Sequence, residues 1–279
     1  MSTLDSQVKR HFDEISDHYY GIVGDTPFLY GYYHSKELSF LAKVLRNYHV
    51  ENDVHGDEVR ILDIGCATGR VLRHVSRLAP DARLFGLDLS PRMAKAAGKT
   101  MNRKIESIVG DIRNLPFRDE AFNFVYSLEV IEHLPDKPSS VLLALGEMVR
   151  VSKKRCYSVV ESTSAGHFIV QSLIRRALPK LRASVLQEEK LQRYSELYLK
   201  TPLPVADPSS VSLISRAISS QGATIRGVFW IRVIPEQAFV ILKSVQLRKF
   251  LAVFDELLVR VPLLRRLGRE FIIYSQRLT

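Results

Sequence analysis

Cysteine is almost absent. The chain holds two, Cys66 and Cys156, which lie 90 positions apart in neither CxxC nor Cys/His spacing. Neither a disulfide-stapled secreted fold nor a structural zinc site is expected on that count. Long apolar runs are missing as well: no stretch of about 18 uninterrupted apolar residues could form a spanning helix. The first residues, MSTLDSQVKRHFDE, are polar where a signal peptide would be apolar, so the expected location is cytoplasmic. Internal repeats and low-complexity tracts are lacking too. What remains is a globular composition, 46% hydrophobic and 25% charged, ample for a core. Its 279 residues suit one large α/β domain with an insert better than two independent domains.

Charge is unevenly placed. The formal net charge is +10, yet the residues through 164 carry 22 Lys+Arg against 22 Asp+Glu. The whole excess lies beyond them. A neutral front and a basic back suggest one part that handles a cofactor and another that meets something acidic.

Periodicity predicts helices over 4–18 and 34–48, joined by a Gly- and Tyr-rich loop. Strands then alternate with helices. VRILDIG (59–65), RLFGLDL (83–89), IESIVGD (105–111), FNFVYSLEV (122–130) and RCYSVVEST (155–163) read as strands. Ser90 and Pro91 suit the N-cap and first position of the helix after the second strand. This rhythm predicts a parallel sheet with helices on both faces. It breaks at about Ser164. A basic, Pro-marked helical stretch follows, then a helix from Val211, a sixth strand over 224–235, a long amphipathic helix over about 236–262 and a last strand over 271–278.

The informative stretch is Leu62-Asp63-Ile64-Gly65-Cys66-Ala67-Thr68-Gly69-Arg70, where the first strand turns into its helix. Glycines there allow a tight turn and let a ligand approach the backbone beside a helix N-terminus. Alone, this segment also fits an empty βα turn. Asp88 ends the second strand, where a carboxylate can accept both hydroxyls of a ribose. Asp111 ends the third, where it can accept a hydrogen bond from an adenine amino group. Three acids at successive strand ends face the crevice in which open α/β sheets bind ligands. A nicotinamide dinucleotide would need glycines at the first, third and sixth loop positions; here these are Gly65, Ala67 and Arg70, which disfavours it.

LDIGCATG, GLDLS, VGDIRNLPF and AFNFVYSLEVIEHL together resemble the successive motifs of the class I S-adenosylmethionine-dependent methyltransferases. The resemblance runs over roughly 36–163 and is nearest to the broad group that includes quinone and other small-molecule methyltransferases. It implies an α/β, Rossmann-like doubly wound fold. The sheet would be mostly parallel and seven-stranded with an antiparallel last strand. An N-terminal helical cap (1–56) would precede a methyltransferase domain (57–279) that carries a helical insert or lid over 164–206.

By the same resemblance, Asp63 and the loop Gly65, Cys66, Ala67 and Gly69 would lie against the methionine part of S-adenosylmethionine. Asp88 would hold the ribose, Leu89 would pack on the adenine, Asp111 would meet its amino group and Ile112 would cover the ring. Ser127 would lie beside the methionine end. One departure is Ala67, where the family's middle glycine is usual; its methyl group should narrow the turn without closing it.

No metal is expected. His133, in Glu129-Val130-Ile131-Glu132-His133-Leu134, is the candidate general base, and capping or orienting that loop is its alternative role. Tyr19 and Tyr20 could add an aromatic face near the sulfonium or simply pack the first helix on the body.

His167, Phe168, Tyr194 and Tyr198 could line an acceptor pocket in the insert, or belong to a core. The expected partner is a small-molecule or lipid-like acceptor methylated at O, N or C. The basic C-terminal half reads either as a solvated helix face or as a surface for peripheral contact with an anionic membrane. Nucleic acid finds little support, since no stacking motif or RNA-binding module is present. An RNA methyltransferase using Arg265, Arg266 and Arg269, and a cofactor-binding protein without turnover, remain the alternatives.

Overall fold

The computed structural model describes residues 3–24, 29–52, 59–100, 105–135, 138–163, 211–232, 245–265 and 270–277. Two helices come first, α1 (Thr3–Gly24) and α2 (Leu29–Asn52). The alternation follows: β1 (Arg60–Ile64), α3 (Arg70–Leu78), β2 (Arg83–Asp88), α4 (Pro91–Thr100), β3 (Ile105–Val109), β4 (Phe122–Ser127), α5 (Ser139–Val151) and β5 (Ser152–Thr163). Then come α6 (Val211–Ser220), β6 (Ala223–Arg232), α7 (Val245–Arg260), the short α8 (Pro262–Arg265) and β7 (Glu270–Arg277).

The seven strands form one sheet in the order β3-β2-β1-β4-β5-β7-β6. β1 to β5 pair in parallel, and β7 enters antiparallel between β5 and β6. The α/β, mostly parallel sheet with an antiparallel last strand is thus the fold the sequence led us to expect. The proposed insert over 164–206 lies outside the described residues. The Gly- and Tyr-rich stretch corrects the expectation: it extends both helices, α1 to Gly24 and α2 back to Leu29. A helical glycine costs only about 1 kcal/mol relative to alanine, too little to stop a helix already nucleated.

Both faces of the sheet are covered, which is why its strands read as apolar runs rather than alternating ones. On one face Ile61, Phe124, Tyr126 and Val159 pack against Leu41, Leu45 and Tyr48 of α2 and Leu72 and Val75 of α3. On the other, Leu62, Ile64, Val125 and Ile273 pack against Val141, Leu145 and Met148 of α5 and Ile214 and Ile218 of α6. α2 is also pinned to the sheet by a buried polar contact, in which Asn123 Nδ2 donates to Tyr48 Oη (3.1 Å).

α5 fixes the loop after β3. Glu147 accepts the Leu115 backbone N–H (2.7 Å), and Arg150 donates to the carbonyls of Leu115 (3.1 Å) and Phe117 (2.8 Å). Arg150 also donates to Glu147 itself, which holds that carboxyl below its usual range. The connection carrying Asp111 is therefore anchored to a helix rather than free.

Candidate functional site

Strand order reverses between β1 and β4, the point at which open α/β sheets leave a crevice beyond their C-terminal ends. The turn after β1 opens this crevice. Gly65 and Gly69 take φ of +75° and +81°, and Ala67 takes +45°, so the turn repeats the left-handed conformation three times. Ala67 therefore adopts a glycine-like geometry despite its side chain, at a cost of about 1–2 kcal/mol. The loop is tied to β2: Gly65 N–H and Cys66 N–H both donate to Leu87 O (2.7 and 3.1 Å). Beneath it, Cys66 is buried against Gly86, where a Cβ would come within 2.9 Å of the sulfur. Gly86 opens the GLDLS motif but is given no role of its own there, although an isolated glycine inside a strand commonly marks a close approach.

Gly65 meets the turn after β4. A Cβ built there would lie 2.2 Å from Val130 Cγ2, at a φ that already disfavours any side chain. We expect Gly65→Ala to destabilise the protein by about 2–4 kcal/mol, from the left-handed backbone and the overlap together. Adding Val130→Ala should recover only the overlap share, read as a partial return of the urea midpoint.

The three acids differ sharply in environment. Asp63 is buried at the end of β1, across from Tyr126 on β4. Burial raises its carboxyl to about 8, the Tyr126 hydroxyl and Arg70 pull it down, and Asp88 pushes it up. Among the described residues, Asp63 Oδ2 makes no well-formed hydrogen bond. Thr68 Oγ1 and Ser127 Oγ, also buried, lack one as well. Polar atoms stripped of water and left without partners cost stability unless a ligand supplies the missing contacts.

Asp88 accepts Ala67 N–H on Oδ2 (2.9 Å) and Ser90 N–H on Oδ1 (2.8 Å), and retains lone pairs for further donors. Burial lifts it to about 6 against the pull of those two N–H groups, and Asp13 adds to the rise. Ser90 caps α4 as expected, its Oγ accepting Met93 N–H (3.1 Å).

Asp111 is differently engaged. Arg113 clamps its carboxylate through Nε (3.0 and 3.1 Å) and Nη2 (2.6 Å), while Arg113 N–H donates to Oδ1 (2.9 Å). An adenine amino group would have to share this acid with a guanidinium. The sequence motif gave no sign of that competition, although the two residues stand only two positions apart. Ile112 is buried beside it, and Leu89 is half-buried just past β2.

α1 closes the crevice from above. Asp13 accepts a hydrogen bond from Ser90 Oγ (2.5 Å), while the next-door Phe12 ring meets the His133 ring edge-on at 5.7 Å. Two consecutive residues thus reach the two rims of the site. Phe12 and Asp13 receive no role from sequence reasoning, because their contacts exist only once α1 has docked. His133 sits in a single 3-10 turn (Ile131–His133), with its N–H donating to Val130 O (2.9 Å) and Glu132 buried beside it. The side chains of Tyr19, Tyr20, His167, Phe168, Tyr194 and Tyr198 lie outside the described residues, as do Arg266 and Arg269. Among the described residues, no cluster of three or more metal-ligating side chains is present.

Comparison with known proteins gives four findings. The family described as "Methyltransferase domain" matches residues 62–160, which span the strands and turns that carry Asp63, Asp88, Asp111 and His133. Ajmaline N-methyltransferase of Rauvolfia serpentina is 30% identical over 192 residues, covering 58% of this chain and 61% of that protein. Tocopherol O-methyltransferase of Arabidopsis thaliana is 35% identical over 98 residues, covering 33% and 27%. The chain therefore spans less than two thirds of the length of these relatives. Among solved structures, geranyl diphosphate C-methyltransferase of Streptomyces coelicolor A3(2), in complex with Mg2+, geranyl diphosphate and S-adenosyl-L-homocysteine, shares the fold. Its TM-score is 0.55 at 14% identity, covering 88% of this chain and 81% of that one.

Proposed function

We propose that this chain, whose residues 62–160 match a methyltransferase domain, is a class I S-adenosylmethionine-dependent methyltransferase that transfers the methyl group of S-adenosylmethionine directly to a small or lipid-like acceptor. S-adenosylhomocysteine would be released. One observation carries this reading: Asp63, Asp88 and Asp111 stand at or just past the C-terminal ends of the neighbouring strands β1, β2 and β3, and among the described residues the buried Asp63 Oδ2, Thr68 Oγ1 and Ser127 Oγ lack partners. Relatives named for N-methylation of ajmaline and O-methylation of tocopherol support a small-molecule acceptor.

When bound, the cofactor supplies a methyl group on a positively charged sulfur. The protein's task is to align the acceptor and exclude water, because a one-step displacement needs little covalent work. Asp88 holds the ribose hydroxyls with its spare lone pairs. Asp63, with the loop Gly65, Cys66, Ala67 and Gly69 beside it, receives the cationic methionine end, and Ser127 offers its unpartnered hydroxyl there. Asp111, Ile112 and Leu89 hold the adenine, and α1, with Tyr20 on it, covers the whole. His133 takes the acceptor's proton where the acceptor is a hydroxyl or an acidic carbon.

Calorimetric titration with S-adenosylhomocysteine, with NAD in parallel, tests the cofactor. Micromolar binding of the first alone is expected, and binding of NAD alone would overturn the reading. Release of S-adenosylhomocysteine from labelled S-adenosylmethionine with phenol, amine and prenyl-lipid acceptors then tests turnover. With a hydroxyl acceptor, His133→Ala should lower kcat by about 10²- to 10⁴-fold and leave cofactor affinity within about twofold. Unchanged kcat would remove His133 from the chemistry.

A further inference from the structure

We propose that the exposed apolar face of α7 docks on an anionic membrane surface. Leu247, Phe250, Val253, Phe254 and Leu257 of α7 are all 45–70% exposed. Their spacing of three and four places them in one stripe covering about 120° of the helix. A helix lying on a soluble body normally turns polar residues to water along that stripe. Here the polar contacts lie on the opposite side: Ala252 and Asp255 are buried, and Asp255 pairs with Lys36 of α2 at 3.6 Å. α7 is thus held to the body by its back, and its greasy front faces outward. Contiguous exposed apolar side chains of this kind mark an interaction surface.

Charge identifies the partner. Lys249 and Arg260 are exposed and border the stripe along one edge. Residues 245–269 carry six basic residues against two acids, and one of those acids, Asp255, is the buried one. The chain's whole excess of +10 lies beyond residue 164. An apolar stripe rimmed by long basic side chains fits a bilayer with anionic headgroups: the rings enter the acyl boundary and the ammonium and guanidinium groups stay among the phosphates.

A second copy of the chain fits poorly. Antiparallel pairing of two stripes centred on Phe254 would set Lys249 of one copy beside Arg260 of the other, like charge on like.

The surface is also joined to the cofactor loop. Lys36 binds α7, and its neighbour Glu37 pairs with Arg70, the residue that follows Gly69 (3.6 Å). A docked α7 would therefore hold the candidate site close to lipid-soluble acceptors. The docking itself does not depend on the methyl-transfer reading.

Flotation of the full chain with vesicles provides the test. Binding is expected to phosphatidylcholine vesicles containing about 30% phosphatidylglycerol and not to phosphatidylcholine alone, and it should weaken with salt. Phe250→Ser/Phe254→Ser should lower vesicle binding by about tenfold or more, with S-adenosylhomocysteine affinity and thermal midpoint unchanged. Lys249→Glu/Arg260→Glu should weaken binding and flatten its salt dependence. The proposal is overturned if wild type ignores anionic vesicles, or if it binds them as well after Phe250→Ser/Phe254→Ser. A concentration-dependent dimer that the same double substitution dissolves would overturn it in favour of self-association.

Discussion

Asp88→Asn should weaken S-adenosylhomocysteine binding by about 100-fold. The substitution keeps the shape of the side chain but replaces a two-oxygen acceptor with one acceptor and one donor. A ribose diol would then lose a charged acceptor, at about 1.5–3 kcal/mol for a hydrogen bond of that kind, or roughly one to two factors of ten. The second oxygen also organises the protein itself. Ala67 and Ser90 donate their N–H groups to different oxygens of Asp88, so the amide leaves one of them unpartnered and loosens the left-handed turn. Direct and indirect losses therefore point the same way. Titration of wild type and variant, with a thermal melt of each, separates them. A melt lowered by a few degrees with affinity within threefold would show that Asp88 only braces the loop.

Affinity for S-adenosylmethionine should rise as pH goes from about 6 to about 8. In the free protein, burial keeps Asp63 protonated up to about 8 and Asp88 up to about 6. Arg70 and the Tyr126 hydroxyl oppose the rise at Asp63, while neighbouring Asp88 reinforces it. A cationic ligand favours the ionised carboxylate, so binding below pH 8 must expel a proton, and affinity can climb by up to about tenfold per pH unit for each proton released. The same acid acts oppositely on folding. Its pKa is raised on folding, so the folded chain holds a proton that the unfolded chain has lost at pH 4–8. Stability of the free protein therefore falls with rising pH across that window, by up to about 1.4 kcal/mol per unit. Calorimetry at pH 7 in two buffers of different ionisation enthalpy should report close to one proton released. Asp63→Asn should flatten both profiles, and a wild-type affinity flat from pH 6 to 8 would dismiss the linkage.

Much of this arrangement was legible in the chain. Buried strands on a doubly covered sheet read as short apolar runs, and each of the first three ends near an acid, so Asp63, Asp88 and Asp111 could be placed at one rim before any coordinates. Ser90 and Pro91 announced the start of α4 for local reasons, which survive folding unchanged. Other features depend on docking and left no trace in spacing. Phe12 and Asp13 reach opposite rims of the crevice only because α1 lies across it. Arg113 captures Asp111 through a side-chain rotamer, not a periodicity. Residues 19–24 and 29–33 misled because their glycines and tyrosines have weak helix propensity, a preference small enough for the flanking turns to override. Gly86 lies between, since a glycine two residues before a strand-end acid is visible but its neighbour Cys66 is not.

The order of the last three strands has a consequence for biosynthesis. Among the described residues, β6 pairs with β7 and β7 joins it to β5, so residues 223–232 have no described strand partner until residues 270–277 have been made. About 45 residues separate the two events, roughly 2–9 s of translation, during which an unpaired strand edge waits in the open. Phe271, Ile272 and Ile273, all wholly buried in the finished sheet, are the residues that end that wait. A nascent chain stalled before them would leave edges of both β5 and β6 open at once, and unpaired strand edges are the surfaces on which chains aggregate.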